Sequence, residues 1–191
     1  MKPDTKRTGL LRFLHGETYT WKDIAITYAT AMVVTGIAIP TLSPDHLAPW
    51  QTVLLTCLLL DVSGGIVSNA TTSTRHFYAR PAGRRILFLL LHAAHPLLML
   101  LLFPDCPTFI ILTGTAILAA SLLVNAIRAS RYALPAASAI LAILITTLLA
   151  YAPDEPSLPL LMALLSVKLI LCFSTGGLPQ KTQSHEPISR T

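Results

Sequence analysis

Apolar residues in this chain come in blocks rather than in stripes. Six stretches, at about residues 21–39, 50–71, 86–103, 108–127, 132–151 and 158–174, hold runs of Leu, Ile, Val, Ala and Thr with few charges. Each is close to the ~20 residues that a helix needs to cross a hydrocarbon layer of ~30 Å at ~1.5 Å per residue. Turn chemistry separates them. Pro40 is expected to close the first block, TLSPDHLAP follows it, PDCP ends the third, and APDEPS ends the fifth. Thr175, Gly176, Gly177 and Pro179 form a helix stop after the sixth. Pro135 falls in the first turn of the fifth block, where a helix tolerates it.

The pattern predicts an all-α fold: a polytopic membrane protein built as a six-transmembrane-helix bundle over residues 21–175. Residues 1–20 are expected to be a polar, basic N-terminal segment, and residues 176–191 a disordered tail. In the N-terminal segment, Leu10, Leu11, Phe13 and Leu14 form a small apolar knot flanked by Arg7 and Arg12. This suits a short helix lying on an anionic leaflet, or else a frayed terminus. The first apolar block starts only near Trp21 and lacks a small-residue cleavage site, so it is expected to be retained as a span.

Composition agrees. The chain is 53% hydrophobic and 12% charged, against about 25% charged residues in a soluble domain. The net charge of +5 is not a nucleic-acid signal, because the basic residues occupy the ends of apolar blocks. They sort by side. If the N-terminus is cytoplasmic, Lys2, Lys6, Arg7, Arg12, Lys22, Arg75, Arg80, Arg84, Arg85, Arg128, Arg131, Lys181 and Arg190 all fall on that side. The opposite loops carry only Asp45, Asp105, Asp154 and Glu155. The positive-inside rule then predicts both termini in the cytoplasm and a bacterial-type inner membrane. Cys57, Cys106 and Cys172 have neither metal-type nor disulfide-type spacing. No phosphate loop, HExxH, Gly-x-Ser-x-Gly or Cys-x-x-Cys motif occurs.

Against this background, polar residues inside the spans stand out. Asp61 lies about 16 Å into the second block, near the midplane. Asp61, Gly64, Gly65, Ser68, Asn69 and Thr72 recur at helical spacing and share a face. In the third block His92 and His95 are three apart, also on one face, and Pro96 is expected to free the backbone carbonyl of His92. Lys168 in the sixth block lies at about the depth of Asp61, where pairing with it and snorkelling to the boundary compete. An antiparallel hairpin joined by a short basic Thr/Ser-rich loop would bring Asp61 to His95. Thr27, Tyr28, Thr30 and Thr35 on the first block, and Asn125 on the fourth, extend the polar set.

Ionisable groups at such depth are costly and usually face a protein interior or a wet cavity. The leading expectation is a pocket of Asp61, Ser68, Asn69, His92, His95 and Lys168 that binds or moves a small solute or a proton. Asp61, His92 and His95 are alternatively zinc ligands and catalytic residues of a metal-assisted hydrolase or transferase acting on a lipid. In the third reading these groups only clamp helices together in a scaffold or complex subunit. No resident cofactor is expected outside the zinc alternative. Arg80, Arg84 and Arg85 are the expected contacts for anionic lipid or phosphate. Membrane lipids are expected partners, and small residues at positions 138–142 offer a face for a second copy or another membrane protein.

Overall fold

The computed structural model describes residues 9–42, 47–79 and 82–175. The expectations about the tail, Arg80 and Asp45 lie outside these residues. Every regular element among them is helical: α1 (Gly9–His15), α2 (Trp21–Leu42), α3 (Pro49–Ala70), α4 (Thr72–Ala79), α5 (Ala82–Leu91), α6 (Ala94–Leu102), α7 (Pro107–Ala126), α8 (Ala133–Ala150) and α9 (Ser157–Ser166). A π-helical stretch, Val167–Ser174, continues α9. Six spans long and apolar enough to cross a membrane result, the third being α5 with α6 and the sixth α9 with its π-helical end.

Local chemistry fixes the helix starts. Thr20 and Asp23 cap α2 reciprocally. The Thr20 N–H donates to Asp23 Oδ2 at 2.7 Å, and the Asp23 N–H donates to Thr20 Oγ1 at 3.2 Å. Pro49 and Pro107 open α3 and α7, where a missing amide costs nothing. Pro40 does not close α2, which runs on to Leu42. A proline in the last turn loses only the bond its amide would make to the Gly36 carbonyl, and the Thr41 hydroxyl bonds back to the Ile37 carbonyl at 2.6 Å.

The sixth span is the most buried of the six, and α2 and α8 are the least. Large apolar side chains such as Met32, Ile37, Leu134 and Ile143 stay on the outside, as lipid-facing surfaces do. α2 packs along α3, and α3 packs on the π-helical stretch.

Three features depart from the sequence expectation. The basic segment after α3 is a helix, α4, rather than a loop. It separates α3 from the third span, which meets α3 mainly through α6, so the two do not lie side by side as a tight hairpin. The third span begins at Ala82, earlier than expected, and breaks at His92 and Ala93. And α1 packs into the bundle. Its end turns at Gly16, whose φ of +79° and whose contact with Ser73 leave no room for a Cβ. The Thr18 N–H donates to Ser73 Oγ at 3.0 Å, the Tyr78 hydroxyl donates to the Phe13 carbonyl at 3.1 Å, and Ser68 Oγ donates to the Leu14 carbonyl.

Candidate functional site

A cavity of about 570 Å³ lies between α2, α3, the third span and the π-helical stretch, with α1 closing one end. It is within the ~300–1,000 Å³ usual for small-molecule sites. Along α3 its lining runs from Leu54 to Asn69, about 22 Å of helix. Leu60, Leu91 and Tyr28 line it and are also exposed on the outside of the bundle. The cavity therefore opens sideways, between helices, toward the hydrocarbon.

At mid-length sits the ionisable cluster. Lys168 Nζ donates to Asp61 Oδ2 at 2.6 Å and reaches the Asp61 backbone carbonyl at 3.3 Å. Its side chain is 4% exposed while that of Asp61 is 47% exposed. The ammonium thus stays inside the bundle instead of snorkelling. The same carboxylate oxygen accepts from His95 Nε2 at 2.7 Å. His92 and His95 stack with rings 3° from parallel and centroids 4.9 Å apart. His92 Nδ1 lies 2.7 Å from the Phe88 carbonyl. A carbonyl can only accept, so Nδ1 carries a proton, and in the neutral ring Nε2 keeps its lone pair. His95 Nδ1 is buried and without a partner among the described residues.

The break in the third span sets these imidazoles. The His92, Ala93 and His95 amides donate to the carbonyls of Leu89, Leu90 and His92 at 3.0–3.1 Å, three residues back. The chain tightens by one turn and restarts as α6. Pro96 then occupies a first-turn position where its missing amide costs nothing. The His92 carbonyl is therefore taken by the His95 amide and is not free.

Gly65 makes the ion pair fit: a Cβ there would fall 2.3 Å from Lys168 Cε. Gly64 faces Ala31 and Thr27 of α2, its Cβ position 3.3 Å from Ala31 Cβ. Of the face read from the sequence, Asp61, Gly64, Gly65, Ser68 and Asn69 line the cavity. Thr72 does not, because α3 ends at Ala70.

Toward α1 the lining becomes polar again. His15, Thr27 and Asn69 are 2%, 4% and 4% exposed. Among the described residues, both His15 ring nitrogens, Thr27 Oγ1 and Asn69 Nδ2 have no hydrogen-bond partner. His15 rests between the Tyr19 and Tyr28 rings. Burial lowers its pKa below the ordinary histidine value, and Asp23 opposes this by attraction. The sequence offers one cue to His15: it follows an apolar knot and precedes a glycine. Its burial follows from the docking of its neighbours Leu14, Gly16 and Thr18 on Ser68 and Ser73, more than fifty positions away.

Arg85, expected to contact anionic lipid or phosphate, is enclosed in the bundle. It is 1% exposed; Nε donates to Asn125 Oδ1 at 2.8 Å, Nη2 donates to the Phe173 carbonyl at 2.6 Å, and the guanidinium lies 4.5 Å from the Phe173 ring centroid. Starting the helix at Ala82 turns this side chain into the bundle, where it joins the third, fourth and sixth spans. Arg84 is half-buried, donating to the Phe77 carbonyl at 2.7 Å with its guanidinium over the Phe77 ring.

One ligand atom from each of Asp61, His92 and His95 can be chosen so that all lie within 4.8 Å of one another. These three could hold a divalent ion, with His92 already presenting the lone-pair nitrogen. Against this, Lys168 already occupies the Asp61 oxygen. No family model matches the chain, and comparison with curated proteins and with solved structures gives no match either.

Proposed function

We propose that this membrane protein binds a small, largely apolar solute in the interhelical cavity, and that Asp61, His92, His95 and Lys168 exchange a proton there. The observation that carries this reading is the ion pair itself. One carboxylate shared by Lys168 and His95 lies on the wall of a cavity that opens to the lipid. Asp61 and Lys168 cancel in charge, so the cluster is neutral when both imidazoles are neutral. A proton gained or lost there changes the net charge of a low-dielectric site, which ties proton movement to what the cavity holds. The distribution of Lys and Arg favours cytoplasmic termini, with the α1 end of the cavity on that side, in a bacterial-type inner membrane.

Two measurements test the reading. Native mass spectrometry of the purified chain should detect a retained small molecule that is absent from Leu54→Trp, whose larger side chain narrows the cavity away from the ion pair. Nitrogen-15 spectra of labelled histidines in nanodiscs should show His95 responding to Asp61→Asn. No retained molecule, together with an unaffected His95 signal, would overturn it.

Metal-assisted chemistry on a lipid is a second reading, favoured by the clustered ligand atoms and the His92 tautomer. Elemental analysis decides it: zinc stoichiometric with the chain and lost in His92→Ala supports it, and zinc at background removes it.

A further inference from the structure

The cavity has a second polar end that the ionisable cluster does not use. His15, Thr27 and Asn69 come from α1, α2 and α3, line the cavity, and are each more than nine-tenths buried. Four of their polar atoms lack partners among the described residues. Buried polar groups are nearly always partnered, so unpartnered atoms on three residues that line one cavity call for a ligand.

We propose that His15, Thr27 and Asn69 form the head-group end of a site for a membrane amphiphile whose head is uncharged and bears hydroxyl or amide groups. The chemistry of the atoms selects the head. Asn69 Nδ2 donates, Thr27 Oγ1 donates and accepts, and a neutral imidazole does one of each at its two nitrogens. A mixed set suits groups that also do both. It does not suit a carboxylate or phosphate, which only accepts, or an ammonium, which only donates. Burial holds His15 in the neutral form this pairing needs.

The lining orders the rest of the ligand. Asn69 to Asp61 is eight residues of α3, about 12 Å, passing Ser68, Gly65 and Gly64. Beyond Asp61 the wall is Leu58, Leu54 and Leu98. The head therefore lies by α1, the linkage to the tail passes the Asp61–Lys168 pair, and the apolar tail points toward Leu54. The sideways opening at Leu60 and Leu91 admits such a molecule from the leaflet without passage through water.

This assignment rests on the reading that the cavity takes a solute, and the test separates the two. Monolauroylglycerol, laurate and dodecane share one chain length and differ in head. Each is titrated against the purified full chain in a zwitterionic detergent and followed by native mass spectrometry. Monolauroylglycerol should bind tightest. Thr27→Val and Asn69→Leu should each weaken it by a few-fold to about tenfold while leaving laurate and dodecane unchanged. If all three bind alike and neither variant discriminates, the head-group assignment is wrong and the cavity reading stands. If none binds to the wild-type chain, both fall. Comparing the three probes on the wild-type chain needs no variant, so a misfolded substitution does not obscure the result.

Discussion

Lys168 Nζ and Asp61 Oδ2 stand 2.6 Å apart across two spans that approach so closely because position 65 is glycine. The two ends of this pair differ in surroundings: the ammonium is enclosed and the carboxylate borders the cavity. Removing one partner therefore has a different cost from removing the other.

Asp61→Asn strands a buried ammonium. Breaking a fully buried pair costs about 3–5 kcal/mol, and the half-exposed carboxylate places this case at or just below that range, about 2–3 kcal/mol. Lys168→Met leaves Asp61 its His95 partner and access to the cavity, so its cost should be smaller. Thermal unfolding in detergent should rank Asp61→Asn below Lys168→Met, and the double variant should recover most of the loss. Strict additivity of the two single shifts would show that the contact contributes nothing.

Gly65→Ala should act through Lys168 alone. The three atoms its Cβ would meet first are Lys168 Cε, Nζ and Cδ, at 2.3–2.9 Å. We expect a loss of about 1–3 kcal/mol in the wild-type background, typical of overpacking, and almost none with Lys168→Ala. Gly114→Ala should cost a similar amount that Lys168→Ala does not relieve, since its Cβ meets the rigid Pro96 ring at 2.7 Å. A double-mutant cycle on melting midpoints checks both. Equal loss for Gly65→Ala in the two backgrounds would contradict the steric account.

How much of this was legible beforehand follows from depth and period. The six spans were legible because a bilayer demands a fixed length of apolar helix. Counting residues from the span ends places Asp61, His95 and Lys168 at one depth but leaves pairing and snorkelling of Lys168 open, because the count says nothing of which way a long side chain turns. What the sequence hid depends on tertiary context. A run of apolar residues around His92 and Ala93 carries no mark of a tightened turn. Val167–Ser174 reads as ordinary helix although it winds as π. Arg85 looked like a surface charge because its partners, Asn125 and the Phe173 carbonyl, are 40 and 88 residues away. α1 looked interfacial because its docking surfaces, Ser68, Ser73 and Tyr78, lie beyond any local pattern.

Arg85→Lys should be far from conservative. A guanidinium makes directed bonds to Asn125 and to the end of the sixth span while stacking on Phe173. An ammonium is a strongly hydrated point charge that cannot reproduce this fork. We expect a loss of about 1–3 kcal/mol, against less than about 0.5 kcal/mol for Lys at half-buried Arg84. Similar melting midpoints for the two variants would show that the Arg85 network is dispensable.

Docking of α1 should weaken in acid. His15 is packed between Tyr19 and Tyr28 near uncharged Thr27 and Asn69, with Asp23 the acidic group acting on it. Burial lowers its pKa when α1 is docked, and Asp23 only partly offsets this. Released, His15 titrates near the ordinary value of about 6.5. Between these two values the undocked state holds more protons, so the docked state loses stability as pH falls. The contribution is complete above about 6.5 and fades as pH drops toward the lower docked value. Hydrogen exchange of the α1 amides, corrected for intrinsic rates, should show protection falling below about pH 6.5 in the wild-type chain and staying level in His15→Leu. The same acid response in both proteins would move the origin of the effect away from His15, and no response in either would show that α1 docks independently of this side chain's charge.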